Sequence, residues 1–130
     1  MKNKEIYLSA LHLIGERADA EENDDYEERA PYLLAAFCSE TSMTDTAYRE
    51  FKNLGETPKT DSVRLPLDSE FPFAERFVHP ASLYLAAMLI IDENTELSDK
   101  LFDKYCVAMA TIESEIPLKI EKITDIYGDF

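Results

Sequence analysis

Carboxylates three positions apart are the residues in this sequence best suited to chemistry. Glu22 and Asp25 form one such pair, and Glu96 and Asp99 form another. Carboxylates at this spacing share a helix face and can together ligate Mg²⁺, as in all-helical nucleotide pyrophosphohydrolases. Both pairs fall where a helix is expected to start, and the helix dipole favours acidic residues there. The magnesium-dependent hydrolase is therefore an alternative, and we expect the helix interiors to contain apolar residues and no buried acids.

No other set of residues has the spacing of a catalytic or metal site. The acidic stretch Asp19–Glu28 lacks the central glycine of a calcium-binding EF-hand loop, so we interpret it as a solvated loop and helix start. His12 is expected at the surface, and His79, although it follows Glu75 by four positions, is expected in a turn. The sequence contains no G-x-S-x-G motif and no glycine-rich phosphate loop. We expect no catalytic residue, no metal, no cofactor and no enzyme activity.

Composition and charge predict a soluble, acidic protein. The 130 residues include 27 Asp and Glu against 13 Lys and Arg, which gives a formal net charge of −14. This charge disfavours non-specific binding to DNA or to an anionic membrane, and it suits a partner with a basic face. A hydrophobic share of 45% with only 3 glycines favours helices over a turn-rich sheet protein. Cys38 and Cys106 lie in apolar runs, and we expect both to be small core residues in a reducing compartment.

Apolar residues at helical spacing predict an all-α bundle of four to five helices with an irregular central loop, in a single domain covering residues 1–130. The helices are expected at residues 3–19, 25–40 and 45–54, from Pro80 onward, and at 96–115. Asn3 is expected to cap the first helix, and Pro31 to kink the second. Gly55 is expected to end the third helix, and Pro117 the fifth.

The helix that begins near Pro80 is expected at the centre of the bundle because it is apolar nearly all round. Its longest apolar run, residues 86–91, is too short to cross a bilayer. The loop before it is expected to contain a short extended piece, Val63–Leu67, and one helical turn at 74–77. Gly15 is expected to mark either a close approach to a neighbouring element or an early end of the first helix.

Two apolar segments outside the long helices are candidates for contact with a partner. The first is rich in phenylalanine, and the second is the segment 116–130 after the last predicted helix. Aromatic residues are enriched at the centres of interfaces, but core packing is an alternative for the first segment, and folding back onto the bundle is an alternative for the second. The candidate interface residues are Phe71, Phe73, Phe77, Ile123, Ile126, Tyr127 and Phe130.

Four segments of the chain also follow one another in a familiar order. They are Tyr26–Ala30, which opens a helix; the apolar helix Pro80–Ile90 with its acidic stop Asp92–Asn94; Phe102–Tyr105; and Lys122–Gly128. Together they resemble the head–tail connector (adaptor) proteins of long-tailed phages and of the prophages derived from them. The apolar helix with its acidic stop and the last segment are the more specific parts of the resemblance.

The resemblance implies a small structural protein that oligomerises into a ring beneath the portal protein and joins it to tail-side proteins. DNA would pass through the ring without sequence-specific binding, and part of the carboxylate excess, if it faced the channel, would repel it. The end of the chain would contact the portal. The protein would act in the bacterial cytoplasm during assembly and afterwards in the virion. A stand-alone helical adaptor that binds a basic protein is the alternative without catalysis.

Overall fold

The computed structural model describes residues 1–17 and 23–117, and in these residues the expected all-α bundle is confirmed. The described chain forms α1 (Asn3–Leu13), α2 (Asp24–Lys52), a 3-10 turn (Glu75–Phe77), α3 (Val78–Leu89) and α4 (Thr95–Glu115). The turn confirms the helical turn predicted at 74–77. None of the described helices is at once long enough and apolar enough to cross a membrane.

α3 is the central helix, as its composition predicted. Every residue from Pro80 to Ala87 is buried, and α1, α2 and α4 all pack against this helix. Each large side chain that is fully removed from water stabilises the fold by about 1.5–3 kcal/mol, so an all-round apolar helix is most stable in the middle of the bundle. Pro80 lies in the first turn of α3, where its missing N–H would have no partner in the helix.

α2 is one continuous helix of 29 residues, so the prediction of separate helices at 25–40 and 45–54 was wrong. The run 42–45 has the residue types of a helix start, but its neighbouring hydroxyls bond back into the helix. Thr41 donates to the carbonyl of Phe37 at 2.8 Å, and Thr46 donates to the carbonyl of Ser42 at 3.0 Å. Such bonds satisfy Thr side chains inside a helix, and they allow α2 to continue.

α2 ends at Lys52, and Asn53 rather than the predicted Gly55 is its C-cap residue. Asn53 has a φ of 58° and Gly55 a φ of 85°, both in the left-handed region that ends helices and that suits Asn and Gly. Pro31 lies buried inside the same helix. Its carbonyl accepts a hydrogen bond from the amide of Leu65 at 3.0 Å, which attaches the central loop to α2.

α1 is shorter than predicted, because it ends at Leu13 instead of residue 19. Gly15 follows with a φ of 76°, and a Cβ placed there would meet no atom within 4 Å. The positive φ, and not close packing, therefore requires glycine at position 15. Of the two alternatives stated for Gly15, the early end of the first helix is the one observed. Lys2 occupies the cap position predicted for Asn3. Asn3 is instead the first helical residue, fully buried, and its Nδ2 donates to the carbonyl of Pro66 at 2.9 Å.

The central loop closes over the start of α1. The first amides of a helix have no partner within it, and a buried helix start needs acceptors from elsewhere. Here the Asn3 amide donates to the carbonyl of Ser69 at 2.9 Å, and the Lys4 amide donates to the carbonyl of Leu67 at 2.8 Å. The expected extended piece Val63–Leu67 forms no strand and serves, with the residues after it, as a backbone cap.

α4 follows its prediction closely, since it covers Thr95–Glu115 against the expected 96–115. The side chain of Asn94 accepts a hydrogen bond from the Leu97 amide at 3.1 Å and caps the helix start. The buried stripe of α4 contains Leu101, Tyr105, Met109 and Ile112.

Candidate interaction surface

The three phenylalanines predicted for a partner contact lie in the core. Phe77 is fully buried, and Phe71 and Phe73 are buried nearly as deeply. Phe71 and Phe73 contact Phe37 of α2, with ring centroids 6.4 and 6.2 Å from its own, and Phe73 contacts Phe77 at 5.8 Å. The described chain therefore uses these rings for core packing, the alternative stated above, and they offer little surface to a partner.

The other predicted interface residues cannot be placed in the same way. Ile123, Ile126, Tyr127 and Phe130 lie outside the described residues, as does most of the segment 116–130. Their contact with a partner stays a prediction.

The expectation that the helix interiors contain no acid was wrong at Asp45. This residue of α2 is fully buried, and its carboxylate accepts three hydrogen bonds. The Nε of Arg49 and the backbone amide of Ala74 each donate at 3.0 Å, and the hydroxyl of Thr57 donates as well. A buried charge is tolerated only when it is paired and hydrogen-bonded, as it is here. The arrangement ties α2 to two parts of the central loop, which is a structural role.

The carboxylate pairs considered for magnesium lie at helix starts. Glu96 and Asp99 are exposed in the first turns of α4, and Glu96 lies 3.5 Å from the Nζ of Lys100. Asp25 pairs with Arg29 at 3.1 Å, whereas Glu22 lies outside the described residues. Within residues 1–17 and 23–117, no group of three or more His, Cys, Asp or Glu side chains is placed to hold a metal ion.

The cysteines differ from each other in a way that the sequence did not predict. Cys38 is partly buried against the core, and this burial, with a contribution from the Asp45 charge, raises the pKa of its thiol from 9.0 to about 12. Cys106 is exposed on α4, so its assignment to the core was wrong. It lies one position after the buried Tyr105, on a face of α4 that no described element covers.

A groove between α3 and α4 is a candidate interaction surface in the described part of the chain. It has a volume of about 500 Å³, and its walls are mainly apolar. Leu83 of α3, almost fully buried, forms the floor, while Val107 and Ala108 of α4 form one wall. Val107 is 66% exposed, the largest value for a large hydrophobic side chain on α4. Binding clefts of this size and lining are typical of sites that take an apolar ligand or peptide side chain.

Charged side chains of both signs lie along the rim of the groove. Arg76, His79 and Lys104 lie along it, with Asp103 as one acidic neighbour. Arg76 is held at one end of the groove by Glu115, with a shortest N–O distance of 2.7 Å. This hydrogen-bonded pair raises the pKa of Arg76 and lowers the pKa of Glu115. The groove therefore combines an apolar lining with an edge that carries two basic and two acidic side chains.

The two histidines have different surroundings. His12 is exposed on α1, as expected. His79 lies in the first turn of α3, not in the predicted turn, and faces the groove. The signal for the groove in the sequence is weak: Val107 is an apolar residue outside the buried stripe of α4, and such residues become informative only once the fold is known.

Comparison of the chain with profiles of known protein families, with curated proteins and with solved structures finds no match to any of the three.

Proposed function

We propose that the chain is a structural head–tail connector of a phage or prophage, which oligomerises into a ring and joins the portal protein to tail components. It acts by binding and not by catalysis. It assembles in the bacterial cytoplasm and becomes part of the virion. The support comes from the resemblance and from two features of the structure. The first is a joint, meaning the hydrogen bonds that connect Tyr26 and Arg29 of α2 to the end of α3 and its acidic stop. The second is the α3–α4 groove.

The joint between two resembling segments is the observation that carries the proposal. The hydroxyl of Tyr26 donates a hydrogen bond to the carboxylate of Glu93, in the acidic stop after α3. The guanidinium of Arg29 donates to the carbonyls of Met88 and Leu89 at 3.1 and 3.3 Å. These carbonyls belong to the last turn of α3, where helical partners are missing. The segments that carry the resemblance therefore form one packed unit, which is more specific than two separate helix patterns.

The α3–α4 groove supports a role in binding. A ring subunit has to present apolar surface to its neighbours or to the portal, because burial of apolar area is the main driving force of association. The groove offers such surface on the outside of the bundle, with Val107 exposed at its edge.

Assembly with the portal tests the proposal. The purified full-length chain, alone and mixed with the portal protein encoded nearest to it, is examined by native mass spectrometry and electron microscopy. We expect a ring on the portal, and we expect it to persist at raised salt, which screens attraction that depends only on the charge of −14. Monomers at every concentration, together with no binding to the portal, would contradict the connector function.

An activity assay on the same preparation addresses the hydrolase alternative. Nucleoside triphosphates incubated with the chain and Mg²⁺ are expected to stay intact. Magnesium-dependent release of pyrophosphate that rises with protein concentration would favour the pyrophosphohydrolase and replace the structural role.

A further inference from the structure

We infer that the outward face of α2 binds an amphipathic helix of another protein, in which Lys and Arg flank the apolar residues. This face belongs to a different helix from the two that form the α3–α4 groove. The inference goes beyond the connector function and does not depend on it.

The outward face of α2 carries large apolar side chains that no described element of the bundle covers. Met43 is 85% exposed, the largest value for a large hydrophobic side chain in the described residues. Tyr32 and Phe51 of the same helix are each about half exposed. Exposed apolar residues scattered singly need no partner, but residues that share one face usually mark a site that a partner covers.

The spacing of these residues places them on one face. At 3.6 residues per turn, five apolar residues of α2 fall within about 100° of one another around the helix axis, and we call them the α2 stripe: Tyr32, Ala36, Met43, Ala47 and Phe51. This is the width of the face by which a helix normally packs on a neighbour. Buried residues of α2 such as Leu34 and Asp45 fall on the opposite side. The α2 stripe covers about 29 Å of helix.

The position of α2 in the fold explains why this face is open. α2 has 29 residues and packs mainly on α3, which has 12. α1 and α4 also pack mainly on α3, so α2 lies at the edge of the bundle. A helix of another protein can therefore lie along the α2 stripe, in the way that amphipathic helices bind to apolar surfaces of other proteins.

The charges beside the α2 stripe favour a basic partner. Three carboxylates are exposed on the same side of α2, those of Glu28, Glu40 and Glu50. The guanidinium of Arg29 is paired with Asp25 and donates to carbonyls at the end of α3. The Nζ of Lys52 lies 5.0 Å from the ring centre of Phe51, at one end of the stripe. Acidic groups therefore predominate, and opposite charges on a partner orient it and speed its association.

A second copy of the chain fits this face less well than a basic helix does. Two outward faces of α2 packed together would bring the same acidic side chains near each other, and each copy has a net charge of −14. Like charges that face each other across an interface oppose association. The partner is therefore expected to be a protein of opposite charge.

Binding of a model peptide to the full-length chain tests the inference. The probe is a fluorescently labelled amphipathic peptide of Leu and Lys, about 20 residues long and so about as long as the α2 stripe. Fluorescence anisotropy measures its affinity. Met43→Ser with Phe51→Ser removes two exposed apolar side chains without a change of charge, and should weaken binding at least about tenfold.

The matched control is Val63→Ser with Val107→Ser, which removes two exposed apolar side chains elsewhere. Because Val107 lines the α3–α4 groove, this control also separates the α2 stripe from the groove. We expect it to leave the affinity within about twofold of the unmodified chain. Equal affinities of the two double variants, or a loss in the control alone, would overturn the inference.

A second pair of variants separates local charge from the charge of the whole chain. Glu28→Gln with Glu40→Gln should weaken peptide binding by about three- to tenfold and reduce its dependence on salt. Asp99→Asn with Glu113→Gln, at exposed positions of α4, changes the net charge equally and should have a much smaller effect. Equal losses would mean that the peptide responds to the overall charge and not to the α2 stripe.

Analytical ultracentrifugation of the chain without peptide tests the second copy as occupant. We expect Met43→Ser with Phe51→Ser to leave the oligomeric state unchanged. A dimer that these substitutions abolish would replace the basic helix by a second copy. These experiments use no portal protein, so their failure would leave the ring and portal experiments unaffected.

Discussion

The carboxylate of Asp45 accepts a hydrogen bond from the backbone amide of Ala74, 29 positions further along the chain, at 3.0 Å. Through this contact a residue in the middle of α2 fixes the segment that leads into α3. Arg49 completes the arrangement, because it pairs with Asp45 and also donates to the carbonyl of Pro72 at 2.9 Å. One ion pair thus positions both the end of the central loop and the start of the central helix.

Removal of this buried carboxylate is expected to destabilise the fold strongly. Asp45→Ala leaves the amide of Ala74 and the guanidinium of Arg49 without their acceptor, which should lower the free energy of unfolding by about 3–5 kcal/mol. The matched control is Asp25→Ala, because Asp25 forms the same four-residue pair with Arg29 on the same helix but is exposed. That variant should cost less than about 1 kcal/mol. Urea denaturation followed by circular dichroism measures both, and equal costs would contradict a structural role for the buried pair.

The aromatic cluster around Phe37 should contribute more to stability than any exposed ring. Phe37 is fully buried and contacts Tyr84 and Tyr105 at 5.8 and 6.1 Å in addition to the phenylalanines described above. Phe37→Ala is expected to lower the free energy of unfolding by about 3–5 kcal/mol, since it leaves a cavity that the neighbouring rings cannot fill. Phe51→Ala, on the exposed face of the same helix, should cost less than about 1 kcal/mol. A large loss for Phe51 with a small one for Phe37 would place the core elsewhere.

The joint between α2 and the end of α3 should respond to changes at Arg29. Arg29→Ala removes two hydrogen bonds to the last carbonyls of α3, and we expect a loss of about 1–2 kcal/mol in unfolding free energy. Asp25→Ala again serves as control, because it removes only the ion pair of the same guanidinium. If the two variants lose the same stability, the ion pair and not the contact with α3 accounts for the effect of Arg29.

Alkaline pH should unfold the protein through its buried phenols and thiol. Burial raises the pKa of Tyr7 and of Tyr105 to about 12, and it raises the pKa of Cys38 to about 12. The unfolded chain releases these protons near their ordinary values of about 8.5–10, so the folded state binds them more tightly. The stability contributed by these groups is complete below those values and is lost as the pH rises toward 12. Urea midpoints at pH 8 and pH 11 measure the loss; Tyr7→Phe should reduce it, and Tyr32→Phe, at an exposed position, should not.

The thiols should react at very different rates at pH 8. Burial raises the pKa of Cys38 from 9.0 to about 12, so very little of this thiol is thiolate at pH 8, and thiolate is the reactive form. Cys106 is exposed and should react first with a thiol reagent, followed by Cys38 only as the protein unfolds. Cys106→Ser should abolish the fast reaction. A fast reaction that survives this substitution would show that Cys38 is accessible.

Much of the fold could be predicted because apolar periodicity is a direct signal of burial. The all-round apolar character of residues 80–90 predicted a central helix, and the stripe of α4 predicted its bounds within one residue. The division of α2 was predicted wrongly because Asp45 has the residue type of a cap. Its carboxylate instead bonds to Ala74, and a contact between residues 29 positions apart leaves no local pattern.

The candidate surface was harder to predict than the fold. The groove combines residues from the 3-10 turn, α3 and α4, and each of them is unremarkable in its own segment. In the sequence Val107 looks like an ordinary exposed apolar residue. It becomes a candidate only in the structure, where Leu83 of α3 lines the same groove. The phenylalanines, in contrast, were considered for an interface because prolines interrupt their segment, and the structure shows that an irregular backbone can still bury its rings.

The backbone cap on α1 has a consequence for the order in which the chain acquires its structure. α3 and α4 are neighbours along the chain, connected only by residues 90–94, so they can pair early. The first amides of α1 have their acceptors at Leu67 and Ser69, more than sixty positions away. These hydrogen bonds can form only after the long stretch of chain between them has folded back. In pulse-labelled hydrogen exchange during refolding, α1 should therefore be the last helix to gain protection, although it is the first one in the described chain.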